Sequence, residues 1–191
     1  DDPLHGKQEG CFFHGYYGHY CYLPLYIFCG EQLLCARLRT ANQDAAAGTV
    51  EELQPIVTRI RTRWPTVRII LRGDSGFCRD EIMSWCETYQ VDYVLGLAKN
   101  NRLKKHIADD LEQAKALYEV TGKAARVFRD FRYQTLKSWS CERRVVGKAE
   151  YLSKGENPRF IVSSINQEAC DTRRLYEDVY CARGDMENGI K

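Results

Sequence analysis

Asp74 lies in the run LRGDSGF (residues 71–77), directly after the apolar stretch VRIIL. In an open α/β sheet, ligands gather outside the carboxyl ends of strands, so a carboxylate at this place is a candidate metal ligand. Gly73 and Gly76 let the backbone turn sharply and keep bulk away from it. The same letters admit other readings. RGDS matches a cell-adhesion tripeptide with its favoured fourth residue, but such ligands sit on exposed loop tips, and this one follows a buried strand. GDSG matches the surround of the nucleophile in trypsin-like proteases, but that chemistry needs a histidine base and a buried Asp on a double β-barrel. The four histidines, His5, His14, His19 and His106, stand in no supporting motif. A lone Asp in such a turn is also often a plain helix cap, so Asp74 needs a partner.

The last segment offers one. On a regular helix at about 100° per residue, Tyr180, Arg183, Glu187 and Lys191 fall at about 0°, 300°, 340° and 20°, one narrow stripe. Asp185, in a second RGD at 183–185, falls off it. Taken alone, a charged stripe is a solvated surface, and Gly184 and Gly189 each weaken the helix by about 1 kcal/mol. A third cluster, Cys11, His14, His19 and Cys21, is a possible zinc set. Its spacing is not that of a zinc finger, and in an extended chain His14 faces away from the other three. An aromatic-rich loop leading into a strand is the simpler reading.

The elements that position these residues alternate. YCYLPLYIFCG (20–30) and EQLLCARLR (31–39) read as a hairpin, with Pro24 counting against a central position. Residues 49–64 form a helix through Val50, Leu53, Val57, Ile60 and Trp64. Thr49 and Glu52 fit a capping box, while Pro55 favours a regular start at that residue. Strand 67–73, helix 78–89, strand 91–98 and an amphipathic helix over 100–120 follow. Residues 123–159 then hold ten Lys or Arg against four acids, a net of +6, in short alternating strands. RFIVSSI (159–165) is a further strand, and a helical segment closes the chain. This order predicts a mixed α/β sheet.

The whole chain has 191 residues, a net charge of +2 and ordinary apolar content, so any nucleic-acid surface must be local. Nine scattered cysteines without a Cys-x-x-Cys pair read as free thiols in a reducing compartment. No apolar run approaches the roughly 18 residues of a membrane span.

Three blocks, residues 1–30, LRGDSGF and YCARGDMEN (180–188), resemble bacterial insertion-sequence transposases of the DDE type, which have an RNase H-like catalytic domain. The resemblance covers nearly the whole chain. It implies an RNase H-like mixed sheet flanked by helices, with the first strand missing here and a β-rich insertion before the last helix. Asp74 and Glu187 are 113 residues apart, and the basic β-rich segment fills that gap. The implied division is a core over 1–122, an insertion over 123–165 and a closing helix over 166–191. The subgroup signature Tyr-x₂-Arg-x₃-Glu-x₆-Lys is matched by Tyr180, Arg183 and Glu187; its Lys falls past Lys191. The first catalytic Asp of relatives, in an Asp-x-Thr run, would fall just before residue 1. By that alignment Asp1 and Asp2 are not the ligand, and the expectation is a truncated copy.

The resemblance further implies metal-dependent phosphodiester cleavage and strand transfer, with Asp74 and Glu187 as catalytic metal ligands. Mg²⁺ is the expected cofactor, with Mn²⁺ as a substitute. Tyr180 and Arg183 would grip phosphate, and Arg143, Arg144 and Lys148 of the basic segment would hold the DNA backbone. Trp139 would stack on an unpaired base or pack within the insertion. The expected partners are transposon-end and target DNA and, at full length, a second copy, in a cytoplasmic, nucleoid-associated protein. A Mg²⁺-dependent nuclease of the same fold and an inactive DNA-binding fragment are the alternatives.

Overall fold

The computed structural model describes residues 2–3 and 9–184. They form two compact units divided between Val67 and Arg68.

In the first unit, β1 (Asp2–Pro3), β2 (Phe12–His14) and β3 (His19–Tyr22) make an antiparallel sheet in the order β1-β3-β2. The hairpin pairs His14 with His19, so these two share a face, and Cys21 pairs with Phe12 and is fully buried. The tight turn between the strands resets the phase that a fully extended chain would have kept. The expected hairpin is β4 (Leu25–Cys29) with β5 (Gln32–Arg37), a two-stranded sheet of its own with a bulge between Ile27 and Phe28. Pro24 sits just before β4, where its missing N–H costs the ladder nothing.

Helix α1 spans Thr49–Arg63 and carries Pro55 inside it instead of starting there. The capping box does not form. Gly48, at φ 75°, leads into the helix, and the buried Thr49 hydroxyl has no partner. Glu52 turns outward instead: it accepts from Arg37 at 2.9 Å and from the Cys35 thiol at 3.5 Å. The positive φ favours glycine at 48, and a Cβ there would also lie 3.1 Å from the Arg37 guanidinium, which would have to shift slightly.

The second unit is built on one mixed sheet of six strands. β6 (Ile70–Gly73) runs parallel to β7 (Asp92–Leu97), and β7 pairs antiparallel with β11 (Arg159–Ser163). β11 pairs antiparallel with β9 (Arg143–Leu152), and β9 with β8 (Ala125–Tyr133) and the short β10 (Gly155–Glu156). The basic β-rich segment therefore shares a sheet with the strand that leads to Asp74. Tyr93, Val94 and Leu95 of β7 are fully buried, as expected of a strand covered on both faces. Val94, Val146 and Ile161, from three adjacent strands, pack with Ile165, Leu175 and Tyr176. Each such side chain contributes about 1.5–3 kcal/mol by burial.

Helix α2 spans Asp80–Thr88 and buries Ile82, Met83 and Cys86. The single helix expected over 100–120 is two, α3 (Asn101–His106) and α4 (Ala108–Thr121), broken at Ile107 with φ −118° and ψ 21°. Leu103, Ile107, Leu111 and Ala114 still line one buried face, so the break keeps the apolar phase. Among the described residues no helix is long and apolar enough to cross a membrane.

The closing segment departs most from expectation. After the short α5 (Thr172–Arg174) the chain widens into a π-helical turn over Leu175–Tyr180, then tightens into a 3₁₀ turn over Cys181–Arg183. The even 100° spacing assumed for Tyr180 and Arg183 does not hold through two such turns. Glu187, Asp185 and Lys191 lie outside the described residues.

Candidate active site

Asp74 follows the last residue of β6, at the carboxyl end of the only parallel pair among the described strands. Its Oδ1 accepts the Gly76 N–H at 2.7 Å and caps the 3₁₀ turn Ser75–Phe77. The capping role and the ligand role are thus compatible: one oxygen orients the carboxylate, and Oδ2 is without a partner among the described residues. Asp74 is exposed, while Gly73 behind it is buried. A Cβ on Gly73 would lie 3.1 Å from Phe77 and 3.2 Å from Leu95, so the turn folds closely onto the sheet.

Tyr180 meets this turn at Gly96 of β7. A Cβ on Gly96 would lie 2.6 Å from the Tyr180 hydroxyl, 2.9 Å from the Ser75 nitrogen and 3.1 Å from the Asp74 carbonyl carbon. Thus the turn and the tyrosine converge on one small space that a side chain would fill. Tyr180 also packs against Tyr176, with ring centroids 5.6 Å apart. Arg72, two residues before Asp74, donates to the Val179 carbonyl at 3.3 Å and ties β6 to the end of the π-helical turn. Sequence reasoning missed both Gly96 and Arg72. A lone glycine inside the apolar strand VDYVLGLA was the available signal for a close approach.

The other expected contacts are placed elsewhere. Arg143 is 3 % exposed and donates to Asp80 at 2.7 Å, to Glu87 at 2.7 Å and 3.0 Å, and to Ser84 at 3.2 Å. Burial works against its charge, but the Glu87 and Asp80 hydrogen bonds outweigh that and hold its pKa above the ordinary arginine value. Burial likewise pushes Glu87 upward, and its bonds with Arg143 and Tyr93 reverse this to leave the pKa lowered. Asp80 behaves in the same way: burial raises it, and the Ser140 N–H and Arg143 more than compensate. Arg144 is 5 % exposed, pairs with Asp130, and donates to the carbonyls of Ile165 at 2.8 Å and Cys170 at 3.1 Å. Lys148 is held by Glu150 at 3.0 Å, its ammonium 5.4 Å from the Tyr176 ring centre. Trp139 is 6 % exposed against Tyr133, with the Arg143 guanidinium over its ring.

As folded, these four are engaged by partners inside the protein and secure the sheet. The physical reason is desolvation: a buried arginine needs carboxylate and carbonyl partners, and these have them within the protein. Of the two carboxylates expected to hold metal, Asp74 stands exposed just past the end of β6, and Glu187 lies outside the described residues. Among the described residues no group of three or more His, Cys, Asp or Glu could hold a metal ion. Mg²⁺ is commonly bound through one or two carboxylates plus substrate phosphates, so the oriented, half-free Asp74 carboxylate fits that cation.

No protein of curated function matches the chain. The family model described as Transposase DDE domain group 1 matches residues 1–191, the full length of the chain, and the protein belongs to that family.

Proposed function

We propose that this chain is the catalytic part of a DNA transposase, an RNase H-like domain that cuts phosphodiester bonds at transposon ends and joins the freed 3′-hydroxyl to target DNA. The observation that carries the reading is the convergence of the Asp74 turn and the Tyr180 hydroxyl on Gly96 at the strand end. Asp74, through Oδ2, and Glu187 would hold Mg²⁺, or Mn²⁺ in its place. When bound, the metal activates the attacking oxygen and stabilises the leaving one. The Gly76 N–H fixes the Asp74 carboxylate before any ligand arrives, so its orientation costs little at that moment. The Tyr180 hydroxyl would donate to a phosphate oxygen beside it, and Arg183 would add its forked donors. In this reading residues 123–165 are the family's insertion, built onto the core sheet through β11 and β7. The protein would act as a homodimer on nucleoid DNA in the cytoplasm.

Asp74→Asn tests this sharply, because the amide oxygen keeps the cap on Gly76 and only the charge is lost. Expected is a loss of Mg²⁺-dependent cleavage of transposon-end DNA of at least about a hundredfold, with DNA affinity and thermal midpoint unchanged. Wild-type cleavage by that variant would remove Asp74 from the mechanism. A protein that degrades any duplex but joins no strands would be a nuclease. One that binds DNA and never cuts it would be an inactive fragment.

A further inference from the structure

Five of the ten cations in the basic segment make ion pairs inside the protein: Arg126, Arg129, Arg143, Arg144 and Lys148. Of the other five, Arg132 faces an open groove. This groove, of about 440 Å³, is lined by Arg102 of α3, Arg132 of β8, and Gln134, Thr135 and Glu142 of the loop that follows β8. Its lining also includes His106, Tyr133 and Leu136. Among the described residues neither Arg102 nor Arg132 makes an ion pair. The Arg102 guanidinium lies over the Tyr133 ring at 5.1 Å, and Arg132 donates to the Glu142 carbonyl at 2.6 Å, so both are positioned yet keep donors to spare. The Glu142 carboxylate is the single acid in the lining. Lys99, Lys105 and Lys137 lie on the same two segments, also without ion pairs among the described residues.

Both walls of the groove are anchored to the core, and Tyr133, paired with Arg143, sits toward the start of β7. α3 begins just past the end of β7, the parallel neighbour of β6, and Asn100 bridges to Tyr133 at 3.4 Å. The loop wall is pinned on the other side: the Ser140 N–H and hydroxyl bond Asp80 at 3.0 Å and 3.1 Å. Asp80 is the first residue of α2, the helix that follows the Asp74 turn. A chain of phosphates lying in the groove would therefore approach the sheet from the end at which β6 and β7 begin, opposite the end that carries the carboxylate.

We infer that this groove is a track for the DNA phosphate backbone, with Arg102 and Arg132 as its phosphate-binding residues. The inference rests on the transposase reading for the identity of the polyanion. Leu136 is 81 % exposed within the lining and packs against little, which supplies a variant that leaves folding alone.

The test is binding by the whole chain to a labelled random-sequence duplex in metal-free buffer, over a range of salt concentrations. Each phosphate contact adds about 0.9 to the slope of log affinity against log salt on duplex DNA. Arg102→Ala with Arg132→Ala should flatten that slope by about 2 and weaken binding to every sequence alike. Arg102→Lys with Arg132→Lys should keep the slope, and Leu136→Glu should weaken binding with an unchanged thermal midpoint. If wild type binds and both the double alanine variant and Leu136→Glu bind as wild type does, the track lies elsewhere and the inference fails while the transposase reading stands. If wild type binds no DNA at all, the reading beneath it fails too.

Discussion

Gly96 is small because two groups need the space its side chain would fill. Ala at this position would set a methyl 2.6 Å from the Tyr180 hydroxyl and 2.9 Å from the Ser75 backbone nitrogen. The tyrosine could swing away, but the backbone could not without moving the Asp74 turn. Gly96→Ala should therefore cost about 1–3 kcal/mol in urea unfolding and remove cleavage well beyond what that loss explains. Full activity in that variant would mean that the convergence has no role in the reaction. At this scale the sequence was partly legible. Asp74 could be singled out because strand ends are where ligands collect, and Tyr180 because of its spacing to Arg183 and Glu187. Gly96 carried a signal too, a lone glycine in an apolar strand, but which groups meet there depends on β7 and on a π-helical turn that no residue pattern announces.

Arg143 organises the elements around the basic segment. It joins β9 to both ends of α2, through Asp80 in the first turn and Glu87 in the last. Arg143→Ala leaves two carboxylates with no cation, and such a loss from a buried network costs about 3–5 kcal/mol. Arg143→Met, which fills the volume without a charge, should cost no less at Asp80 and Glu87 unless both are neutralised as well. Adding Asp80→Asn and Glu87→Gln to Arg143→Met should then recover part of the stability, as read by denaturant midpoint. The segment's charge surplus was legible, but its pairing was not: Arg144 and Lys148 meet the segment's own Asp130 and Glu150, while Arg143 and Arg129 meet Asp80, Glu87 and Asp110 from outside it, which only folding brings near. The strands themselves were legible from their alternation, as was the buried face of Leu103, Ile107, Leu111 and Ala114. The break at Ile107 was not, because it preserves that apolar phase.

For the molecule as a whole, these depressed carboxylates set the response to acid. The ordinary values are 4.5 for Glu87 and 3.8 for Asp80, and both are lowered in the folded state, as is Glu150 beside Lys148 and Arg126. Burial acts against each shift, and the hydrogen bonds overcome it. A group whose folded pKa is depressed stabilises the protein above its unfolded pKa and loses that contribution as pH falls through the folded one. The thermal midpoint should thus change little between about pH 6 and 5 and fall steeply below about 4. Glu87→Gln should lower the plateau and make the acid limb shallower; an acid limb identical to wild type would show that this network does not govern it. The half-buried Cys78 and the buried Cys86, both pushed up to about 12 by desolvation, stay neutral throughout this range. The alternation of strands and helices made the mixed α/β class readable at this scale, though the order of the strands in the sheet was not.

The antiparallel seam between β7 and β11 has a consequence for how the chain reaches its native state. β8, β9 and β11 are near neighbours in sequence, and their ladders close through short connections. The β7–β11 seam is different: two helices and three strands separate its partners in the chain. It is also where Val94 meets Ile161, and where Ser163 and Ser164 bond the Tyr93 backbone at 2.7 Å and 2.9 Å. Closing so long a loop costs entropy before any of those contacts form. The seam is therefore expected to close after the local ladders of β8, β9 and β11 have formed, and core substitutions across it should speed unfolding more than they slow folding.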